Sequence, residues 1–266
     1  RPLTAGGERI PAYALPENAI RALGKVAAHA AWRQQPAGLF WSFDDIRPEE
    51  ARSLCRDIVG CRGETWLTAE ELQRIVSAFS LPLVPGVLTR NAEDAVAVAA
   101  VVGFPVVAKL SAPNLLHKSD VGGVEINLST PEAVRAAYDD LTAGARARGI
   151  EIDGVQIQPF VAGGTEMIVG VVEDPLFGPL LGVGLGGVHV EALGGVRFRI
   201  APLTDRDADE LVRESRGFAL LEGHRGRPRA DVQALTDVVL RVSRLAEDIP
   251  EILELDLNPV TVLAEG

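Results

Sequence analysis

The chain has 266 residues, 47% hydrophobic and 24% charged, with a formal net charge of −11. That length and apolar content suit one large domain or two modest ones. No segment is strongly basic, so neither nucleic acid nor an anionic membrane is an expected partner. The longest apolar runs, such as Ala95–Ala108, are interrupted by Gly and Pro and fall short of a membrane span, and the N-terminus has no signal-peptide pattern. Cys55 and Cys61 are the only cysteines, which favours a reduced, cytoplasmic protein, and no His cluster near them suggests zinc. The chain opens on Arg1 in the middle of what reads as a domain, as a fragment would. Its positive charge is almost all Arg, with only three lysines, Lys25, Lys109 and Lys118. Where Lys is kept, a compact ammonium is expected to matter more than a planar fork.

In chain order, the pattern predicts a short strand at Ile10–Ala14 and a helix from Pro16 to about Trp32. Residues 36–48 read as a linker with exposed aromatics. A helix follows from Pro48 to Val59, ended by Gly60. Thr68 and Glu71 form a capping box for a helix with apolar positions at Leu72, Ile75, Val76 and Phe79. A strand-like stretch broken by prolines, "LPLVPGVLT", leads to a helix capped by Asn91 and stopped at Gly103. The period then changes. "PVVAKLS" and "GGVEINLS" read as two strands joined by a long loop. A helix runs from Pro131 to Gly149, and "GVQIQPFV" is a strand. "GTEMIVGVVED" is another, with Glu166, Ile168 and Gly170 on one face. "LLGVGLGG", "VHVEALGG" and "VRFRIAPL" read as short strands with glycine turns. Helices follow at Thr204–Gly217 and Asp231–Asp248, and the chain ends on the strand "ILELDLNPVTVL". Strands and helices mix without regular alternation, so the expected class is α+β.

Several residues stand out chemically. In the last strand Leu253, Leu255 and Leu257 share one face, and Glu254, Asp256 and Asn258 the other. That face is either solvated or a set of hard oxygen donors of the kind Mg²⁺ accepts beside phosphates. Lys109 sits in an apolar strand, as an edge residue that snorkels or as a phosphate contact. The Ser111–Val121 loop is long for a hairpin. His117, mid-loop, is either an exposed histidine without a role or a nucleophile for a phosphoryl group. Gly122 and Gly123 can offer N–H groups to an anion. His189 and Glu191 share a face and are either functional or surface residues. The glycine-rich stretch fits neither a dinucleotide fingerprint nor a P-loop.

The motifs "GFPVVAKL", "LLHKSDVGGV", "VQIQPFVAGGTEMIVGV", "DPLFGPLLGVGLGG", "VRFRIAPLT" and "LELDLNPV" occur in one order. From about Leu67 onward they make the chain resemble the ATP-grasp, β-subunit-like part of ADP-forming acyl-CoA synthetases, relatives of succinyl-CoA synthetase. The resemblance implies an ATP-grasp fold, two α+β lobes with ATP between them, the smaller over about residues 102–160 and the whole over 67–266. Residues 1–35 resemble the end of a preceding flavodoxin-like CoA-ligase domain, with 36–66 a linker carrying one helix. The resemblance also implies that Lys109 contacts ATP phosphates, that Gln158, Pro159, Phe160 and Val161 form the hinge beside adenine, and that Glu166 lies in the nucleotide pocket. Asn258 then matches a Mg²⁺ ligand. Asp256 stands near the phosphorylated histidine, and His117 matches the swinging-loop histidine that carries phosphate. The family commonly continues past "NPV" into a strand bearing a second metal ligand, which this chain does not reach. CoA-binding and acyl-binding domains, on the same or a partner chain, are the implied partners. A sequence of this kind can instead be a nucleotide- or acyl-CoA-sensing regulatory domain of a protein lysine acetyltransferase. A carboxylate–amine ligase of the same fold needs no loop histidine.

Overall fold

The computed structural model describes residues 3–5, 8–112, 121–187, 195–223 and 228–266. They form two compact units, one ending at Leu39 and the other running from Phe40 to Gly266.

The first unit has a two-stranded antiparallel ribbon, β1 (Leu3–Ala5) and β2 (Glu8–Ile10), and helix α1 (Pro16–Gln34). The expected strand at Ile10–Ala14 is not formed. Pairing ends at Ile10, and Pro11, which follows, has no N–H to extend a ladder. Pro16 opens α1 as anticipated.

The second unit holds two four-stranded antiparallel sheets. The smaller has the order β3 (Val87–Thr89), β6 (Gly154–Pro159), β4 (Val106–Ser111), β5 (Val124–Leu128). Helices α4 (Ala92–Val102) and α5 (Pro131–Ala147) cover one face, burying Ala95, Ala99, Val134 and Leu141 against Val106, Ala108, Leu110 and Ile157. Asn91 and Thr130 cap these helices by accepting from the N–H groups of Asp94 and Ala133.

The larger sheet has the order β10 (Glu254–Val262), β7 (Thr165–Asp174), β8 (Gly178–Leu185), β9 (Arg197–Ile200). It is backed by α2 (Pro48–Arg62), α3 (Ala69–Ala78), α6 (Asp205–Glu214), α7 (Phe218–Leu221) and α8 (Val232–Asp248). Their buried Ile75, Phe79, Leu211, Leu235 and Leu245 meet Met167, Val169, Val171, Leu181 and Val183. The expected capping box at Thr68 is present, and Thr204 forms another with Asp207. The segment read as a linker is integrated: Ala51 and Cys55 of α2 lie in this core, and Phe43 packs beneath the Arg241 guanidinium.

Three local expectations need correction. Helix α2 runs through Gly60 to Arg62 and ends at Gly63, whose φ of +68° suits a cap. An ion pair from Arg62 to Glu71 holds that extra turn. Only Val87–Thr89 of the proline-broken stretch is strand. Leu253 is exposed and precedes the last strand, whereas Leu255 and Leu257 pack on the core. The expected "VHVEALGG" strand falls largely on residues 188–194, outside the described residues.

Candidate functional site

The smaller sheet presents one face to the helices and one away from them. Along β4 the covered positions are Val106, Ala108 and Leu110, so strand alternation turns Val107, Lys109 and Ser111 to the opposite face. Lys109 stands opposite Gln156 on one side and Val124 on the other, and Val107 opposite Gln158. Directly opposed residues share a face, so Lys109, Gln156 and Gln158 lie together. β4 is an interior strand, which removes the edge-residue reading of Lys109: its half-buried ammonium stem rises from the middle of a sheet.

Gln158 and Pro159 are the last residues of β6, and Phe160 and Val161 begin the connector to β7. The connector starts firmly, because the Phe160 N–H donates to the Pro105 carbonyl at 3.0 Å. The Gln158 side-chain Nε2 donates to the Val84 carbonyl at 3.2 Å.

On the larger sheet Met167, Val169 and Val171 face the core, so Glu166, Ile168 and Gly170 face away, as the pattern predicts. Asp256 of edge strand β10 stands opposite Gly170. The β10–β7 register shifts between Leu257 and Val260, which spans Asn258. There the Asn258 Oδ1 accepts from the Gly187 N–H at 3.0 Å. Gly187 has φ +67°, and a Glu166 carboxylate oxygen occupies the space its Cβ would need. A side chain at 187 would displace that carboxylate. Glu166 and Asn258, far apart in sequence, therefore converge on one glycine. The sequence reading missed Gly187, although its "GLGG" context is the signal that could have pointed there.

The sequence-derived residues thus fall into two groups: Lys109 and Gln158 with the start of the connector on the smaller sheet, and Glu166, Asp256 and Asn258 on the larger. His117 lies outside the described residues, as do Lys118, His189 and Glu191. The hairpin that carries His117 is fixed at its base, where the Leu110 N–H donates to the Gly123 carbonyl at 2.8 Å. Cys55 is not a rival nucleophile. Burial first, then Glu251 and Glu71, push its thiol up to about 11.

A nucleotide-associated Mg²⁺ would suit the second group. Mg²⁺ accepts oxygen donors and usually keeps waters and substrate phosphates, with only one or two protein ligands. Asn258 and Glu166 offer amide and carboxylate oxygens at one place, and among the described residues no denser group of His, Cys, Asp or Glu makes a closed metal cage.

The fold, two antiparallel sheets each with its own core and a donor group on its open face, is an ATP-grasp architecture. The chain belongs to the ATP-grasp domain family, whose model matches residues 59–266. It is 39% identical to acetate–CoA ligase [ADP-forming] I of Archaeoglobus fulgidus over 97% of this chain and 37% of that protein. It therefore spans well under half the length of that relative. The acetyl-coenzyme A synthetase 1 of Ca. Korarchaeum cryptofilum, solved with coenzyme A, Ca-AMPCP and HgCl⁺, matches at TM-score 0.76 and 38% identity over 81% of this chain and 95% of that one. A second structure of it, with Mg-AMPPCP and its phosphohistidine segment pointing towards the nucleotide site, matches at TM-score 0.68 and 36% identity over 81% and 94%.

Proposed function

We propose that this chain is the nucleotide-binding and phosphoryl-transfer module of an ADP-forming acyl-CoA synthetase, which joins a carboxylate to CoA while converting ATP to ADP and phosphate. The observation that carries this reading is the order along β4. Gln158 lies opposite Val107, Lys109 is the next position on that face, and the hairpin containing His117 leaves the strand just beyond. A nucleotide laid along this face, base toward the connector, has its phosphates at Lys109 and its terminal phosphate toward His117. A relative that binds coenzyme A and Mg-AMPPCP with its phosphohistidine segment pointing towards the nucleotide binding site supports the reading.

The chemistry follows from the residues. A carboxylate and a thiol do not condense without activation, so phosphoryl transfer comes first, and that step depends on placement and charge cancellation. The Lys109 ammonium binds the phosphate oxygens and offsets charge as it shifts to the leaving ADP. The neutral imidazole of His117 attacks the γ-phosphorus as the bond to the β-phosphate oxygen breaks, leaving a phosphohistidine and ADP. Asp256 accepts a hydrogen bond from the other ring N–H and orients the ring. Asn258 would hold Mg²⁺ beside Glu166, and the ion would supply further charge neutralisation on the phosphates. The hinge, Gln158 to Val161, holds the base. CoA-binding and acyl-binding domains, in the same or a partner chain, receive the phosphoryl group. The domain limits of this reading are 1–35, 36–66 and 67–266, with the helix of the middle segment packed into the core under the larger sheet. Its location is cytoplasmic, in keeping with free thiols at Cys55 and Cys61.

The test uses full-length protein with γ-phosphate-labelled ATP and Mg²⁺. Acid-labile label on the wild type that disappears in His117→Ala is the expected result. Absence of label on the wild type, or unchanged label in the variant, rejects the phosphohistidine role.

A further inference from the structure

The turn that leaves β8 is built on two successive glycines, Gly186 and Gly187, and each is tied to a different part of the candidate site. The Gly186 N–H donates to the Glu166 carbonyl at 2.9 Å, and the Gly187 N–H donates to Asn258 Oδ1 at 3.0 Å. Neither position has room for a side chain. A Cβ at 186 would lie 2.6 Å from the Met167 carbonyl group, and one at 187 would meet the Glu166 carboxylate. An N–H can only donate, so the Gly187 contact selects the oxygen end of the Asn258 amide. That end faces the residue against which the Glu166 carboxylate rests, and the amide NH₂, which a cation would repel, is turned away. Backbone shape alone does not explain the glycine. Gly178, at the start of the same strand, has φ +73°, close to the +67° of Gly187, yet nothing occupies the space of its Cβ.

We infer that Gly187 is a positioning residue: by donating its N–H and lacking a side chain it holds the Glu166 carboxylate and the Asn258 oxygen at one spot, and so sets the affinity of that spot for a divalent cation. The inference rests on the proposed reading of these two side chains as donors beside nucleotide phosphates. A hard cation bound by only one or two protein ligands loses much of its protein contact when one carboxylate is moved aside. A methyl group at 187 would move it, without touching the cation or the nucleotide itself.

The experiment titrates Mn²⁺, which takes the same hard oxygen donors as Mg²⁺, into full-length protein carrying one equivalent of ADP and follows its electron paramagnetic resonance. In Gly187→Ala the Mn²⁺ affinity is expected to fall about tenfold or more, as when a group that orients a ligand is lost, while ADP binding in EDTA stays within about twofold of wild type. Gly178→Ala carries the same backbone strain and should leave Mn²⁺ affinity unchanged. Glu166→Ala removes the group with which the new Cβ collides, so adding Gly187→Ala to it should weaken Mn²⁺ by no more than about twofold further. Wild-type Mn²⁺ affinity in Gly187→Ala, or an equal loss in Gly178→Ala, overturns the inference. A further loss of about tenfold in the double variant also overturns it. That last comparison is made where the collision is absent, so it stands even if Gly187→Ala alone does not fold. A Glu166→Ala variant with wild-type Mn²⁺ affinity overturns instead the reading of Glu166 as a donor, and absence of ADP binding by the wild type overturns the nucleotide-module reading, so the three failures are distinguishable.

Discussion

Lys109 shows how much one residue type can signal. In a chain that nearly always uses Arg, a Lys inside an apolar strand is already unusual, and its place on an interior strand excludes the ordinary edge explanation. Lys109→Met keeps the stem and removes the ammonium. ADP affinity should fall at least about tenfold by titration, as expected for loss of a charge-assisted contact to phosphate, while the unliganded melting temperature stays close to wild type. Lys109→Arg should not restore binding, because a planar fork does not fill a point-charge position. Asp231 illustrates a residue whose role is structural. It caps α8 by accepting from the Ala234 N–H and also accepts from Gly266, and those N–H groups hold its carboxyl below the usual range. Asp231→Ala should cost about 1 kcal/mol, or about 2–4 °C in melting temperature at neutral pH. A lowered folded-state pKa contributes stability that is present above the unfolded value of about 3.9 and is lost as pH falls through the folded value. Melts of wild type and variant should therefore converge on acidification below that range. A gap that widens in acid contradicts the assignment.

At the scale of elements, local chemistry was legible where it acts over a few residues. Thr68–Glu71, Thr204–Asp207 and Asn91 each announce a helix start because the capping partner is at most three residues away, and Pro16 does so through its own fixed φ. Gly60 misled because glycine was read as a stop, whereas a mid-helix glycine costs only about 1 kcal/mol against Ala, and one further ion-paired turn follows it. The site was legible as a set of residue types, and its pairings were not. Register sets Gln156 beside Lys109, and Asn258 reaches Gly187 across 71 positions. Alternation along one strand cannot reveal either, because both depend on which strand lies alongside. The β3–β6 pairing offers a test of register. Gly154 has φ +152°, and a Cβ there would run into the Thr89 carbonyl. Gly154→Ala should separate β3 from β6. It should lower the melting temperature by several degrees and increase amide exchange at Leu88 and Gln156 while leaving exchange in α8 nearly unchanged.

For the molecule as a whole, the central fact is that the second unit has two hydrophobic clusters, one under each sheet, with the candidate donors on the two faces turned away from them. A ligand binding both donor groups joins bodies that do not share a core. ADP with Mg²⁺ at a hundredfold excess over its dissociation constant should then stabilise the fold by about 2.7 kcal/mol, read as a rise in melting temperature. The rise should be about half as large or smaller in Lys109→Met at the same nucleotide concentration, about 1.4 kcal/mol or less for a loss of tenfold or more in affinity. A wild type that melts at the same temperature with and without saturating nucleotide contradicts the proposed site. Lysine scarcity also makes the chain a natural spectroscopic instrument. Within residues 1–266, reductive methylation with a ¹³C label would mark the side chains of Lys25, Lys109 and Lys118 alone. One of these resonances comes from the side of β4 proposed to face phosphate and another from the residue after His117, so an untouched sequence carries reporters at both ends of the transfer it is proposed to perform.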